Sequence, residues 1–80
     1  MRLFTVKERT DIEVKAPSSD RFITMKAQNN MSFGVEDIVV DPIGTLTTEE
    51  SMAQLGKQGF YVFRVEDMDV KVSMLQVEVV

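Results

Sequence analysis

Hydrophobic and polar residues alternate along most of the chain, and that period predicts strands. Residues 3–7 and 11–15 each alternate as half-buried strands do. A three-residue loop, Glu8-Arg9-Thr10, would pair them as a hairpin with Val6 opposite Ile12 and Phe4 opposite Val14. Lys7 then faces Asp11 on the other side of the ribbon, an attractive cross-strand pair. A slip of one residue would set apolar side chains against charged ones. Ala16-Pro17-Ser18-Ser19-Asp20 breaks the pattern, because proline cannot donate to a ladder and the serines and aspartate suit a loop. A second hairpin is expected from residues 21–28 and 32–37, joined by Asn29-Asn30-Met31, with Ala27 opposite Phe33 and Met25 opposite Val35. Glu36-Asp37 then interrupts the alternation and Ile38-Val39-Val40 resumes it, which predicts a bulge or a change of strand partner.

Around residues 48–56 the period changes. Thr47 and Glu50 form a capping box, Met52 and Leu55 make a narrow apolar stripe, and Gly56 or Gly59 can take the left-handed conformation that ends a helix. A helix this short needs a sheet to lie on. Asp41-Pro42-Ile43-Gly44 reads as the turn that leads into it. The segment after it, Phe60-Tyr61-Val62-Phe63-Arg64-Val65, is the most strand-prone in the chain. A turn near Asp67-Met68 should return it as residues 69–74, opposing Val65 to Val70, Phe63 to Val72 and Arg64 to Lys71. Beyond it the apolar phase flips. Val70, Val72 and Met74 share one face and Leu75, Val77 and Val79 the other, so a bulge or corner near Met74-Leu75 would let one strand serve two parts of a curved sheet. The apolar Val79-Val80 is expected to be covered or paired. These elements predict a single α+β domain over residues 1–80: a small, curved, mainly antiparallel sheet of about six strands, with a partly open barrel as its alternative closure, and one short helix across it.

Composition narrows the chemistry. Eighty residues support one core. With no cysteine and no histidine, thiolate sites, disulfides and the commonest general base are absent from the chain. The first residues hold no apolar run of signal-peptide length and no segment is long enough to span a bilayer as a helix, so a cytoplasmic protein without membrane contact is expected. The net charge of -4 is unevenly placed: residues 1–30 carry six Lys/Arg against four acids, and residues 31–80 three against nine. Phe33-Gly-Val-Glu-Asp resembles Phe63-Arg-Val-Glu-Asp, but the segments between the two differ too much for stacked repeats.

Carboxylates are the plentiful reactive groups, yet neither Glu66-Asp67-x-Asp69 nor Glu36-Asp37 with Asp41 has the ligand spacing and closing glutamate of a calcium loop. Serine-elbow and Ser-x-x-Lys motifs are missing, and the glycines at 34, 44, 56 and 59 are too scattered for a phosphate loop. No enzymatic activity, metal or cofactor is expected. The basic residues are interleaved with acids, and the aromatic strand reads as core before it reads as a stacking platform, so nucleic acid is an unlikely partner. Docking on a protein is the expected function, with Glu36, Asp37, Asp41, Glu66, Asp67 and Asp69 offered to a basic partner surface and five internal methionines supplying adaptable apolar contacts. In size and plainness the chain resembles the accessory inhibitors that phages and mobile elements encode. The competing expectation is a homo-oligomeric structural component assembled through edge strands, or a weak nucleic-acid-binding module.

Overall fold

The computed structural model of the protein describes residues 3–39, 49–50, 53 and 57–80. Among the described residues seven strands form two antiparallel sheets. They are β1 (Leu3–Val6), β2 (Asp11–Lys15), β3 (Ile23–Lys26), β4 (Met31–Gly34), β5 (Phe60–Val65), β6 (Met68–Ser73) and β7 (Val77–Val79). The smaller sheet has the order β4-β1-β7 and the larger β3-β2-β6-β5. The architecture is therefore sheet-rich and mainly antiparallel, as expected, but it is two sheets and not one curved sheet or a closed barrel. Nor do the described residues make it the α+β domain expected, because the elements that build it are strands and 3₁₀ turns. Described residues in and beside the expected helix, Glu49, Glu50, Ala53, Lys57 and Gln58, have helical backbone and are exposed. The other residues of the expected helix, with its expected capping box and apolar stripe, and the expected turn at residues 41–44 fall outside the described residues. Gly59 has φ +83, the left-handed conformation expected after the helix.

The first 34 residues correct both hairpins expected there. β1 does not pair with β2, nor β3 with β4; β1 pairs with β4 and β2 with β3. The register is the same in both ladders, with Val6 opposite Met31 in one and Asp11 opposite Lys26 in the other. A single long ribbon is thus folded over at residues 7–10 and 27–30, with its loop at the Pro17 break, where the Ser19 amide bonds the Ala16 carbonyl at 3.1 Å. The bend has a visible cause. Arg9 sits at φ 69, and Glu8-Arg9 turns the chain so that the Thr10 amide bonds back to the Lys7 carbonyl at 3.3 Å. Ala27 holds the opposite strand, accepting from the Arg9 amide at 2.6 Å and donating to the Thr10 carbonyl at 2.9 Å. Local alternation cannot distinguish a hairpin from a bent ribbon, because the same apolar face is buried either way. Arg9 pays conformational strain in a region that suits glycine. Arg9→Gly keeps the same backbone bonds and should raise stability by about 0.5–1 kcal/mol, read as a higher urea midpoint; a lower midpoint would show that the Arg9 side chain contributes more than the backbone strain costs.

The later corners match expectation. After β4 a 3₁₀ turn, Val35–Asp37, lifts the chain off β1, and Ile38 then bridges Phe63 of β5 while the Val39 amide bonds the Val62 carbonyl at 2.7 Å. This is the change of partner read from Glu36-Asp37. A second 3₁₀ turn, Met74–Gln76, carries the chain from β6 in the larger sheet to β7 in the smaller, at the position where the apolar phase flips. The last residues are paired: β7 lies on β1, and Leu3 and Val80 exchange backbone bonds of 3.2 and 2.8 Å.

The hairpin β5-β6 forms in a register two residues from the expected one. Its turn is Glu66-Asp67, with Glu66 at φ 58, so Val65 faces Met68, Phe63 faces Val70 and Arg64 faces Asp69. A shift of two preserves the faces, and it replaces the like-charge Arg64–Lys71 opposition with an ion pair. The core lies between the sheets. Phe4, Val6 and Phe33 come from the smaller one, and Ile12, Tyr61, Phe63, Val70 and Val72 from the larger. Phe63 and Phe33 stack with centroids 4.2 Å apart, and Phe4 meets Tyr61 edge-on at 5.2 Å. No helix among the described residues is long and apolar enough to cross a membrane.

Candidate functional site

The six carboxylates proposed for partner contact serve different roles. Asp69, on β6, is 9% exposed; its carboxylate accepts from Arg64 Nε at 2.9 Å and lies 3.9 Å from Lys15 Nζ. The hydrogen bond to Asp69, and then its negative charge, raise the pKa of Arg64 above the ordinary arginine value. What that pair adds to stability is therefore complete below the unfolded arginine pKa and is lost on the arginine side only at strongly alkaline pH. Asp37 accepts from the Gly34 amide at 2.8 Å and ties down the 3₁₀ turn after β4. Glu36, Glu66 and Asp67 are exposed. The antiparallel bridge between Ile38 and Phe63 sets the Glu36-Asp37 turn alongside the end of β5 that runs into Glu66-Asp67. Asp41 lies outside the described residues. Asp69 and Asp37 thus hold the fold, while three exposed carboxylates lie toward one end of β5.

The outer face of the larger sheet is a ladder of opposite charges. Lys26 pairs with Asp11, Lys71 lies 3.6 Å from Glu13, and Lys15 and Arg64 converge on Asp69. Lys71 also stands over the Phe60 ring at 4.3 Å and the Phe22 ring at 5.4 Å, which covers part of two aromatic faces. Among the described residues no three carboxylates gather in a way that could hold a metal ion. A polar hollow of about 510 Å³ at the ribbon's bend is lined by Lys7, Glu8, Arg9, Thr10, Asp11, Ser73 and Gln76, a mixture of charges with no dominant sign.

The inner face of the same sheet is different. β3 is its edge strand, and all four of its residues are exposed. Ile23 and Met25 point to the side that elsewhere forms the core, because they oppose Val14 and Ile12 in the ladder. The smaller sheet does not cover them, so Ile23 is 66% and Met25 42% exposed. Beside them opens an apolar cleft of about 290 Å³, whose walls include Ile12, Val14, Met25, Met31, Met68 and Val70. Three of the five internal methionines meet here. Met68 directly follows the Glu66-Asp67 turn, which brings two exposed carboxylates to that end of the cleft. The sequence offers all five internal methionines as adaptable contacts but does not say which of them come together. The signal it lacked was strand order, because an alternating strand at an edge looks like one in the middle.

Fold and cleft together define a small antiparallel two-sheet domain with an open apolar groove along one sheet edge. No family model, curated protein or solved structure matches the chain.

Proposed function

We propose that this is a non-enzymatic binding protein that docks on another protein and acts by occupying its surface. The observation that carries the reading is the convergence of Met25, Met31 and Met68 on one open apolar cleft. Methionine is unbranched and polarizable, and it adapts to apolar side chains of different shape. Glu66 and Asp67 at the Met68 end favour a partner segment that sets a basic residue beside its apolar anchor. Asp69 and Asp37 support this site by fixing the strands, without contacting the partner.

The test is capture of the partner from source cells, quantified with two variants. Met68→Lys places a charge where the anchor would sit and should weaken binding by about tenfold or more, the worth of one buried methionine. The double variant Glu66→Lys with Asp67→Lys should weaken capture more at low salt than at high salt. Both variants must keep the wild-type circular dichroism spectrum. Undiminished capture by both would rule the reading out.

A further inference from the structure

We propose that two copies of the chain pair through their β3 edges, joining two four-stranded sheets into one continuous sheet about a twofold axis at Thr24. This goes beyond the docking reading and does not depend on it.

The backbone sets the geometry. Ala27 turns both its amide and its carbonyl inward, to Thr10 and Arg9. In an antiparallel ladder the direction alternates residue by residue, so Met25 and Ile23 also bond inward and Lys26, Thr24 and Phe22 present theirs outward. A second β3 laid antiparallel with Thr24 opposite Thr24 sets Phe22 opposite Lys26, and every one of these outward groups then meets its complement. The intervening pair is Ile23 with Met25 of the second copy, on the inner face.

The side chains favour that register. It buries the 66%-exposed Ile23 against the 42%-exposed Met25, in both directions. On the outer face it sets a lysine against a phenylalanine, a pairing the protein already makes between Lys71 and Phe60. Further out, Arg21 faces Ala27 and Asp20 faces Gln28, with no like charges opposed. Other registers have the same backbone complementarity but do not set the two exposed apolar residues against each other. Centring on Ile23 leaves Met25 against Arg21, and centring on Met25 leaves Ile23 against Ala27, which is already buried. Centring on Lys26 sets lysine against lysine, and centring on Phe22 sets Arg21 against Ile23 and leaves Met25 against Ser19. The Thr24 register is thus the twofold one that opposes Ile23 to Met25 in both directions, the self-complementarity an isologous interface requires. The far edge of the sheet, β5, offers less, since Ile38 and Val39 already occupy part of it. Because directly opposed residues in an antiparallel pair point the same way, the pairing keeps both methionine clefts on one face of the joined sheet.

Sedimentation equilibrium of the whole chain should give twice the monomer mass at roughly 100 μM, falling toward the monomer on dilution. Thr24→Pro removes an outward amide that no described residue of the monomer bonds, so it should keep the spectrum and urea midpoint of the wild type and sediment as a monomer. The chain has no cysteine, so Thr24→Cys introduces a unique thiol. Opposed residues of this kind stand about 5.5 Å apart, within disulfide reach, and this variant should oxidise to a covalent dimer at least tenfold faster than Ser18→Cys, placed in the exposed loop. A wild type that stays monomeric at that concentration, a Thr24→Pro protein that still dimerises, or equal cross-linking of the two cysteine variants would each overturn the proposal. Loss of partner capture with the dimer intact would overturn the docking reading and leave this one standing.

Discussion

Phe63→Ala should cost about 3–5 kcal/mol and leave the protein largely unfolded or close to it. A chain of 80 residues has roughly 4–12 kcal/mol of stability in total. Phe63 is completely buried, stacks on Phe33 of the opposite sheet, and lies 5.7 Å from both Phe4 and Tyr61. Ile38 also bridges to it. Among the described aromatic rings Phe63 alone packs against three others, from both sheets, so truncation leaves a cavity that cannot close without separating them. Phe63→Leu keeps most of the volume and should cost about 1–1.5 kcal/mol. Urea unfolding followed by circular dichroism gives both values. Similar small losses for the two would mean that the aromatic cluster is not what joins the sheets.

Asp69→Ala is expected to cost about 1–3 kcal/mol, well above any exposed ion pair in the protein. Its carboxylate accepts a hydrogen bond from Arg64 and pairs at 3.9 Å with Lys15, one strand to either side of β6, and it is nearly buried. Lys26→Ala breaks the pair with Asp11, in which both side chains are about two-thirds exposed, and should cost no more than roughly 0.5 kcal/mol. Raising the salt should erase the Lys26 effect and leave most of the Asp69 one, since burial limits screening. Equal costs for the two substitutions would show that the Asp69 site is no more than another surface pair.

Much of the local structure was legible from alternation. The strand at residues 60–65, the proline break at Pro17, the interruption at Glu36-Asp37 and the corner at Met74-Leu75 all stand where the hydrophobic phase places them. In each case the cause is a residue that cannot continue a half-buried ladder. Pairing was less legible. The segments of residues 3–15 and 21–37 read as two hairpins and are one bent ribbon, because alternation specifies the buried face of a strand and not its neighbour. The turn after Val65 was misplaced for a related reason: Glu66 adopts φ 58, which a glutamate's identity does not advertise. Of the proposed contact residues, Asp69 and Asp37 accept hydrogen bonds within the fold, and only their neighbours in space distinguish them from Glu66 and Asp67.

The order of amino acids by itself determined that this chain makes short strands, which residues of each strand turn inward, and that it brings neither thiol nor imidazole to any site. Those are properties of single residues and their nearest neighbours. Tertiary structure decided that the strands divide between two sheets, that β3 becomes an edge, and that Met25, Met31 and Met68 meet in one cleft. That division follows from which distant segments supply hydrogen bonds to each other once the ribbon bends at Arg9, a choice made by the whole set of contacts at once.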